Sequence, residues 1–456
     1  MKKIIFFTAF LLSYTLFAQD TTTIIILHTN DMHAHIDNYA KLKHIKDSLS
    51  NIYNDVFLFS AGDIFTGNPK VDRYAPKGFP MIDLMNKVGY DVSELGNHAF
   101  DYGQNILKDR IEQAHFPFIC SNIKMIDSPL SQPESQIIFH TKNNDTIAIL
   151  GILQTGKNKL PDAYPPKLKG LQFINPFKIL HQYHHDKPHA NIHILLSHLG
   201  YKTDLKVAGK FSDFDIIIGG HSHTYLPHGI VKKKTLIVQA KSYMRYLGVL
   251  TIKMVSHHII SMSDSLINLN KYNNIDSSLQ NQINKYNVNS ALDKVVTTLS
   301  KPIHSVDSLG IFITNAMRHS LHVDIALQNN GGIRIDSLPA RITYNQLYQM
   351  MPFGNQLVVY HLTQRQLKKL IRYAYNLHFN NEISASGISF KLITNKKGKL
   401  TSIKLYDKVG NPLLKKIFSV SINDYMASAY QLSFLKKNAK PTGITDVDAV
   451  IDFITK

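Results

Sequence analysis

The chain has 456 residues, 44% hydrophobic and 18% charged. That is enough for packed cores, too long for one ordinary domain, and not the make-up of a disordered polyelectrolyte; two or three domains are expected. The net charge of +18, from 51 Lys and Arg against 33 Asp and Glu, favours anionic partners or simply a solvated basic surface, while the lack of a compact Lys/Arg run with interleaved aromatics argues against binding a nucleic-acid polymer.

In chain order, Met1-Lys2-Lys3 precedes an apolar run from Ile4 to Phe17 and then Ala18-Gln19-Asp20. A basic start, a short apolar core and a small residue at the cut predict a signal peptide over 1–18, hence export to the periplasm or beyond. The run is short for a membrane span, and no second stretch offers an anchor for the mature chain. From 20 to 265 the pattern is α/β. Apolar, β-rich runs recur at Thr23–Leu27, Val56–Ser60, Thr146–Leu150, Asn191–Leu196 and Asp215–Ile218, with helical stretches at Met81–Val88 and Ile106–Ala114. Near-continuous apolar runs suit strands covered on both faces. The one cysteine, Cys120, excludes an intrachain disulfide and reads as a buried small apolar residue. From 266 to 297, Asn, Gln, Ser and Lys dominate, which predicts a polar connecting helix or linker. A second apolar domain is expected over 298–456.

Acids, amides and histidines gather in short segments that mostly follow predicted strands: Leu27-His28-Thr29-Asn30-Asp31-Met32-His33, Ser60-Ala61-Gly62-Asp63, Gly96-Asn97-His98-Ala99-Phe100-Asp101, Leu196-Ser197-His198-Leu199-Gly200 and Gly219-Gly220-His221-Ser222-His223-Thr224. Ligands of open α/β sheets collect at the carboxyl ends of strands. Asp-x-His and His-x-His put both side chains on one side of an extended segment. Imidazole with carboxylate suits Zn²⁺, Mn²⁺ or a similar ion. Taken singly, Gly62-Asp63 is a turn and His-x-His an exposed pair; together they predict a metal centre, with Asp63 able to bridge two cations. His181, His184, His185 and His189 form a further cluster, which lacks a strand-end context and reads as a solvated helix end.

These segments resemble, in order and kind, the signature blocks of the calcineurin-like metallophosphoesterase superfamily, and within it the 5′-nucleotidase and UDP-sugar hydrolase branch. The resemblance covers nearly all of the mature chain. It implies a two-domain α/β protein: an N-terminal four-layer α/β/β/α sandwich and a C-terminal α/β substrate-specificity domain. It implies two divalent metal ions, one held by Asp31, His33 and His223, the other by Asn97, His198 and His221, with Asp63 between them. Such a pair lowers the pKa of a shared water and neutralises charge on phosphoryl oxygens. His98 and Asp101 match the family's catalytic pair. Ala99 departs from the Glu usual there.

In the second half, Asn329-Asn330-Gly331-Gly332-Ile333-Arg334 could offer backbone N–H groups and a guanidinium to a phosphate, although such turns are often only turns. The family match implies that Asn329, Gly331, Gly332 and Arg334 contact substrate, and that Phe353 and Tyr425 sandwich a nucleobase; core packing is the alternative for each aromatic. Two departures follow. The arginines usual before the Gly matching Gly310 are missing, with only Lys301 and His304 nearby. The Gly-Gly-Asp-Gly turn that holds ribose is replaced by Ala429-Tyr430-Gln431-Leu432. The expected substrate is therefore a small phosphate ester, a nucleotide first, with a sugar phosphate, a cyclic phosphodiester, a sulfur-linked ester or a non-catalytic binding role as alternatives.

Overall fold

The computed structural model describes residues 21–156, 158–378, 383–436 and 439–456. The predicted leader over 1–18 lies outside the described residues. Among the described residues no helix is long and apolar enough to cross a membrane.

The first half is built on two six-stranded sheets. In one, Thr22–Thr29, Asp55–Ser60, Val92–Glu94 and Phe118–Ile119 run parallel, and the hairpin Tyr246–Val255/His258–Asn268 adds an antiparallel edge beside Thr22–Thr29. In the other, Thr146–Leu153, Ile192–His198, Ile216–Gly219 and Thr235–Val238 run parallel, flanked by antiparallel Gln136–His140 and Ile230–Lys232. Side chains alternate across a strand, and the apolar runs use both faces. Ile24 and Ile26 meet Ile147, Ile149, Ile194 and Ile218 in the layer between the sheets. Ile25 and Leu27 point outward to the helices Tyr39–Ser50 and Phe79–Val88. Leu150, Leu195 and Ile217 point to the helices Pro176–Asp186 and Tyr201–Lys210. Four layers, helix, sheet, sheet and helix, result, as the family resemblance implies.

The second half carries a five-stranded sheet in the order Ile383–Ser386, Ile325–Asn329, Ile417–Asn423, Gln356–Thr363, Lys440–Thr445. One face is covered by the helices Val306–Leu321 and Asp446–Thr455 through Leu309, Ile313, Met317, Val447 and Val450. The other is covered by Gln364–His378 through Leu367, Leu370 and Ile371.

The stretch expected as a polar connector is in large part attached structure. Residues 266–268 finish the edge strand His258–Asn268. The helix Ser277–Tyr286 buries Leu279, Ile283 and Tyr286 in the first core. Asp276 caps it by accepting from Leu279 N at 2.7 Å. A three-residue apolar stripe within an otherwise polar helix is enough to dock it.

Candidate active site

Every segment expected to carry ligands leaves the carboxyl end of a parallel strand. Asp31 and His33 follow Thr22–Thr29, Asp63 follows Asp55–Ser60, Asn97 follows Val92–Glu94, His198 ends Ile192–His198, and His221 and His223 follow Ile216–Gly219. Potential ligand atoms of Asp31, His33 and His223 lie within 4.8 Å of one another, as do those of Asp63, His198 and His221, and those of His33, Asp63 and His98.

The backbone is held in an unusual shape to achieve this. Asp31, His33, Asp63, His221 and His223 all have positive φ, between 49° and 71°. Left-handed backbone is disfavoured for side-chain-bearing residues and persists only where surroundings fix it. Here the turns bond to one another: Asp31 N donates to Gly62 O at 3.0 Å, His33 N to Asp63 O at 3.0 Å, and Tyr243 N to Asp31 O at 2.8 Å.

Four of the donors, Asp31, His33, Asn97 and His198, are also aimed by a second polar contact. His198 Nδ1–H donates to the Ala61 carbonyl at 2.7 Å and His33 Nδ1–H to the Thr66 carbonyl at 3.0 Å, so both rings turn Nε2 inward. Asn97 Nδ2 donates to the Asp162 carbonyl at 2.9 Å, and its Oδ1 faces His221 Nδ1 at 2.9 Å and His198 Nε2 at 3.2 Å. Asn30, fully interior, donates to Asp31 Oδ2 at 2.6 Å and accepts from Ala240 N at 2.8 Å. The glycine at 96 is required: a Cβ there would lie 2.0 Å from Asp63 Oδ1.

Burial governs the electrostatics. It raises Asp31 to about 7, only partly offset by His198. It lowers His221 to about 4, with His198 adding to the effect, and it holds His33 and His223 well below the usual histidine range, helped by Arg334. Burial acts the same way on His198, but Asp63 at 3.0 Å reverses it and holds that ring at about 9. Asp63 itself is pulled well below its ordinary value; burial opposes this, and His198 and His98 prevail. The donor set is thus two carboxylates, one amide oxygen and four imidazoles, three of which are kept in the neutral, ligand-competent form. That chemistry and the fixed tautomers fit a pair of divalent cations, and cation binding would displace the His198 proton.

Beside the cluster, His98 Nδ1 pairs with Asp101 Oδ2 at 2.7 Å, and His98 N donates to Asp63 Oδ1 at 2.8 Å. Burial depresses the His98 ring, yet Asp101 and Asp63 outweigh it and raise its pKa. A cleft of about 810 Å³ opens from here between the two halves. Asn329, Gly331, Gly332, Arg334, Phe353 and Tyr425 all line it. Arg334 Nη2 lies 2.9 Å from His33 Nε2, and Phe353 stacks on His98 with centroids 5.4 Å apart. Asn329 Oδ1 accepts from Asn423 Nδ2 at 2.7 Å, which leaves its amide nitrogen for the cleft.

Other residues named from the sequence lie elsewhere. Lys301, His304 and Gln431 are exposed and outside the cleft lining, whereas Tyr430 lines it. Ala99 and Cys120 are buried in the first core. His184 pairs with Asp213 at 2.8 Å, a carboxylate the sequence pattern did not suggest; the helix-end histidines remain apart from the ligand clusters among the described residues. Sequence reasoning also passed over Asn30, which sits inside the first segment but reads as a spacer. Asp162, Tyr164, Lys167 and Asp424 line the cleft from loops and a helix end without any local motif.

Residues 24–225 match the family described as calcineurin-like phosphoesterase, and residues 292–434 the 5′-nucleotidase C-terminal domain. The chain thus combines a calcineurin-like phosphoesterase domain with a 5′-nucleotidase C-terminal domain. It is 27% identical over 431 residues to human 5′-nucleotidase, spanning 76% of this chain and 71% of that protein. It is 25% identical over 405 residues to the trifunctional nucleotide phosphoesterase protein of Bacillus subtilis, spanning 76% of this chain but only 27% of that protein's length. The fold is shared with the 5′-nucleotidase precursor of Thermus thermophilus, with a TM-score of 0.82, 22% identity, and coverage of 95% of this chain and 96% of that one.

Proposed function

We propose that the chain is a metal-dependent phosphoric ester hydrolase that cleaves phosphate esters, nucleotides first among them. The observation that carries this reading is the convergence of Asp31, His33, Asp63, Asn97, His198, His221 and His223 beside the His98–Asp101 pair, at the mouth of a cleft containing Arg334, Phe353 and Tyr425. Two divalent cations bound there supply water activation and neutralise phosphoryl charge.

The side chains divide the remaining work. Asp101 holds His98 Nδ1–H, turning Nε2 toward the reacting group and favouring the protonated ring, which suits it to bind a phosphoryl oxygen or to protonate the leaving oxygen. Arg334 is placed to grip the phosphoryl group. In the balanced step the ester P–O bond breaks, a water oxygen takes its place on phosphorus, and a proton ends on the leaving oxygen. Phe353 and Tyr425 offer flat faces to a base.

A second reading, a phosphate or sulfur ester without a nucleoside, is favoured by one specific observation: neither Lys301 nor His304 reaches the cleft, and the 429–432 stretch supplies Tyr430 rather than a carboxylate. A substrate panel with Mn²⁺- or Zn²⁺-loaded protein separates the two. Good turnover of sugar phosphates with none of nucleoside monophosphates would sink the nucleotide reading. The leader-like run Ile4–Phe17 supports export to the periplasm or beyond; a mature chain that begins at Gln19 on N-terminal sequencing is the expected result, and one retaining Met1 refutes it.

A further inference from the structure

Next to the cleft lies a second chamber of about 470 Å³, also walled by both halves of the chain. It shares His223 and Arg334 with the cleft and so abuts the Asp31–His33–His223 cluster, but Phe353 and Tyr425 do not line it. Its charges are Lys241, Arg245 and Arg334 against the single acid Asp336. Neither Lys241 nor Arg245 forms an ion pair among the described residues. Arg334 Nε is buried without a hydrogen-bond partner. Tyr243 forms the wall toward the cluster: its ring is 5.5 Å from both His33 and His223, and the Arg245 guanidinium lies over it at 5.2 Å. Unpaired cations facing a shared space, one with an orphaned N–H, are a setting for a small oxyanion, which a guanidinium binds through two N–H groups and an ammonium as a point charge.

We propose that this chamber binds inorganic phosphate, the product of ester hydrolysis at the adjoining cluster; the assignment of that phosphate as product rests on the hydrolytic reading above. Phosphate held by Lys241 and Arg245 stands apart from the aromatic cleft, so the organic product and the phosphate do not compete for one exit. Bound there, phosphate slows turnover without displacing substrate.

The test uses inorganic phosphate as the probe. Inhibition of p-nitrophenyl phosphate hydrolysis is measured on metal-loaded wild type and on the Lys241→Gln/Arg245→Gln double variant. Wild type shows mixed inhibition, with phosphate lowering both kcat and kcat/KM. In the variant inhibition becomes competitive over the range that halves wild-type kcat, and any lowering of kcat needs about tenfold more phosphate or higher, since two charge-assisted contacts are lost. Its kcat/KM without phosphate stays at the wild-type level, and Lys241→Arg/Arg245→Lys restores mixed inhibition. Equilibrium dialysis of phosphate against Asp63→Asn protein, with and without the two Gln substitutions, reads the chamber even if no ester is ever cleaved; one phosphate per chain, lost in the combined variant, is expected. Purely competitive inhibition of wild type, or phosphate affinity in dialysis that ignores the Gln substitutions, overturns the proposal.

Discussion

Arg334, from the C-terminal half, places Nη2 2.9 Å from Nε2 of His33, from the N-terminal half. Because His33 Nδ1–H is committed to the Thr66 carbonyl, Nε2 is the acceptor, the same nitrogen that a cation would use. The guanidinium is therefore poised where positive charge is wanted, within reach of a phosphoryl group at the cluster. Replacing Arg334 by Ala is expected to lower kcat/KM by about tenfold to hundredfold, the worth of one charged hydrogen-bonding group. Steady-state kinetics on a phosphomonoester checks this; unchanged kcat/KM would remove Arg334 from substrate binding.

His98 touches the cluster through its backbone and the reacting space through its ring. His98→Ala is expected to lower kcat by about 10²–10⁴-fold, typical of losing a positioned acid–base group, with metal content retained. Elemental analysis beside kinetics decides: loss of metal in the variant would make His98 a ligand or a structural residue instead.

Asn30 ties Asp31 to the Lys241 carbonyl and the Ala240 amide. Asn30→Ala leaves those buried groups unpaired, costing about 2–4 kcal/mol, and frees the Asp31 carboxylate. Metal affinity is expected to fall about tenfold to hundredfold, as for other groups that orient ligands. Urea unfolding of the metal-free protein and a metal titration read the two effects separately; wild-type values in both would contradict the orienting role.

Asp446 is fully interior, and burial raises it to about 7, partly offset by the Asn355 hydrogen bond at 3.3 Å. Its folded pKa lies above the unfolded value, so between about pH 4 and pH 7 the folded state binds more protons and stability falls as pH rises. At about 1.4 kcal/mol per unit the full effect is bounded at about 4 kcal/mol. Asp446→Asn should flatten this part of the pH–stability curve, leaving the variant relatively more stable at pH 8 than at pH 4. Thermal melts across that range check the sign; a wild type that gains stability relative to the variant as pH rises refutes it.

The convergence of the candidate metal ligands was largely legible because each stands within a few residues of an apolar strand. A strand's carboxyl end is a place the period-2 pattern locates, and the packed sheets do the rest. What the pattern did not contain was the pairing of distant loops. Asp162 orients Asn97 across two loops of the first domain, and Arg334 reaches His33 while Lys241, Tyr243 and Arg245 wall a chamber through the meeting of the two domains. A polar helix was expected within 266–297, but the docking of Ser277–Tyr286 onto the first core was hidden by its polar majority, since Leu279, Ile283 and Tyr286 carry that docking alone. The left-handed backbone of Asp31, His33, Asp63, His221 and His223 leaves no trace in residue type beyond the tolerance of Asp and His for it.

Asp63 belongs to two of the three ligand clusters, and its carboxylate meets both His98 N and His198 Nε2. Phosphate release from a nucleoside monophosphate, measured alongside metal content, tests the metal-dependent hydrolytic reading most directly. Wild type carrying two divalent ions per chain should release phosphate, and Asp63→Ala should bind less metal and release none. Undiminished release by Asp63→Ala, or fully loaded wild type that cleaves no phosphoester, would contradict it.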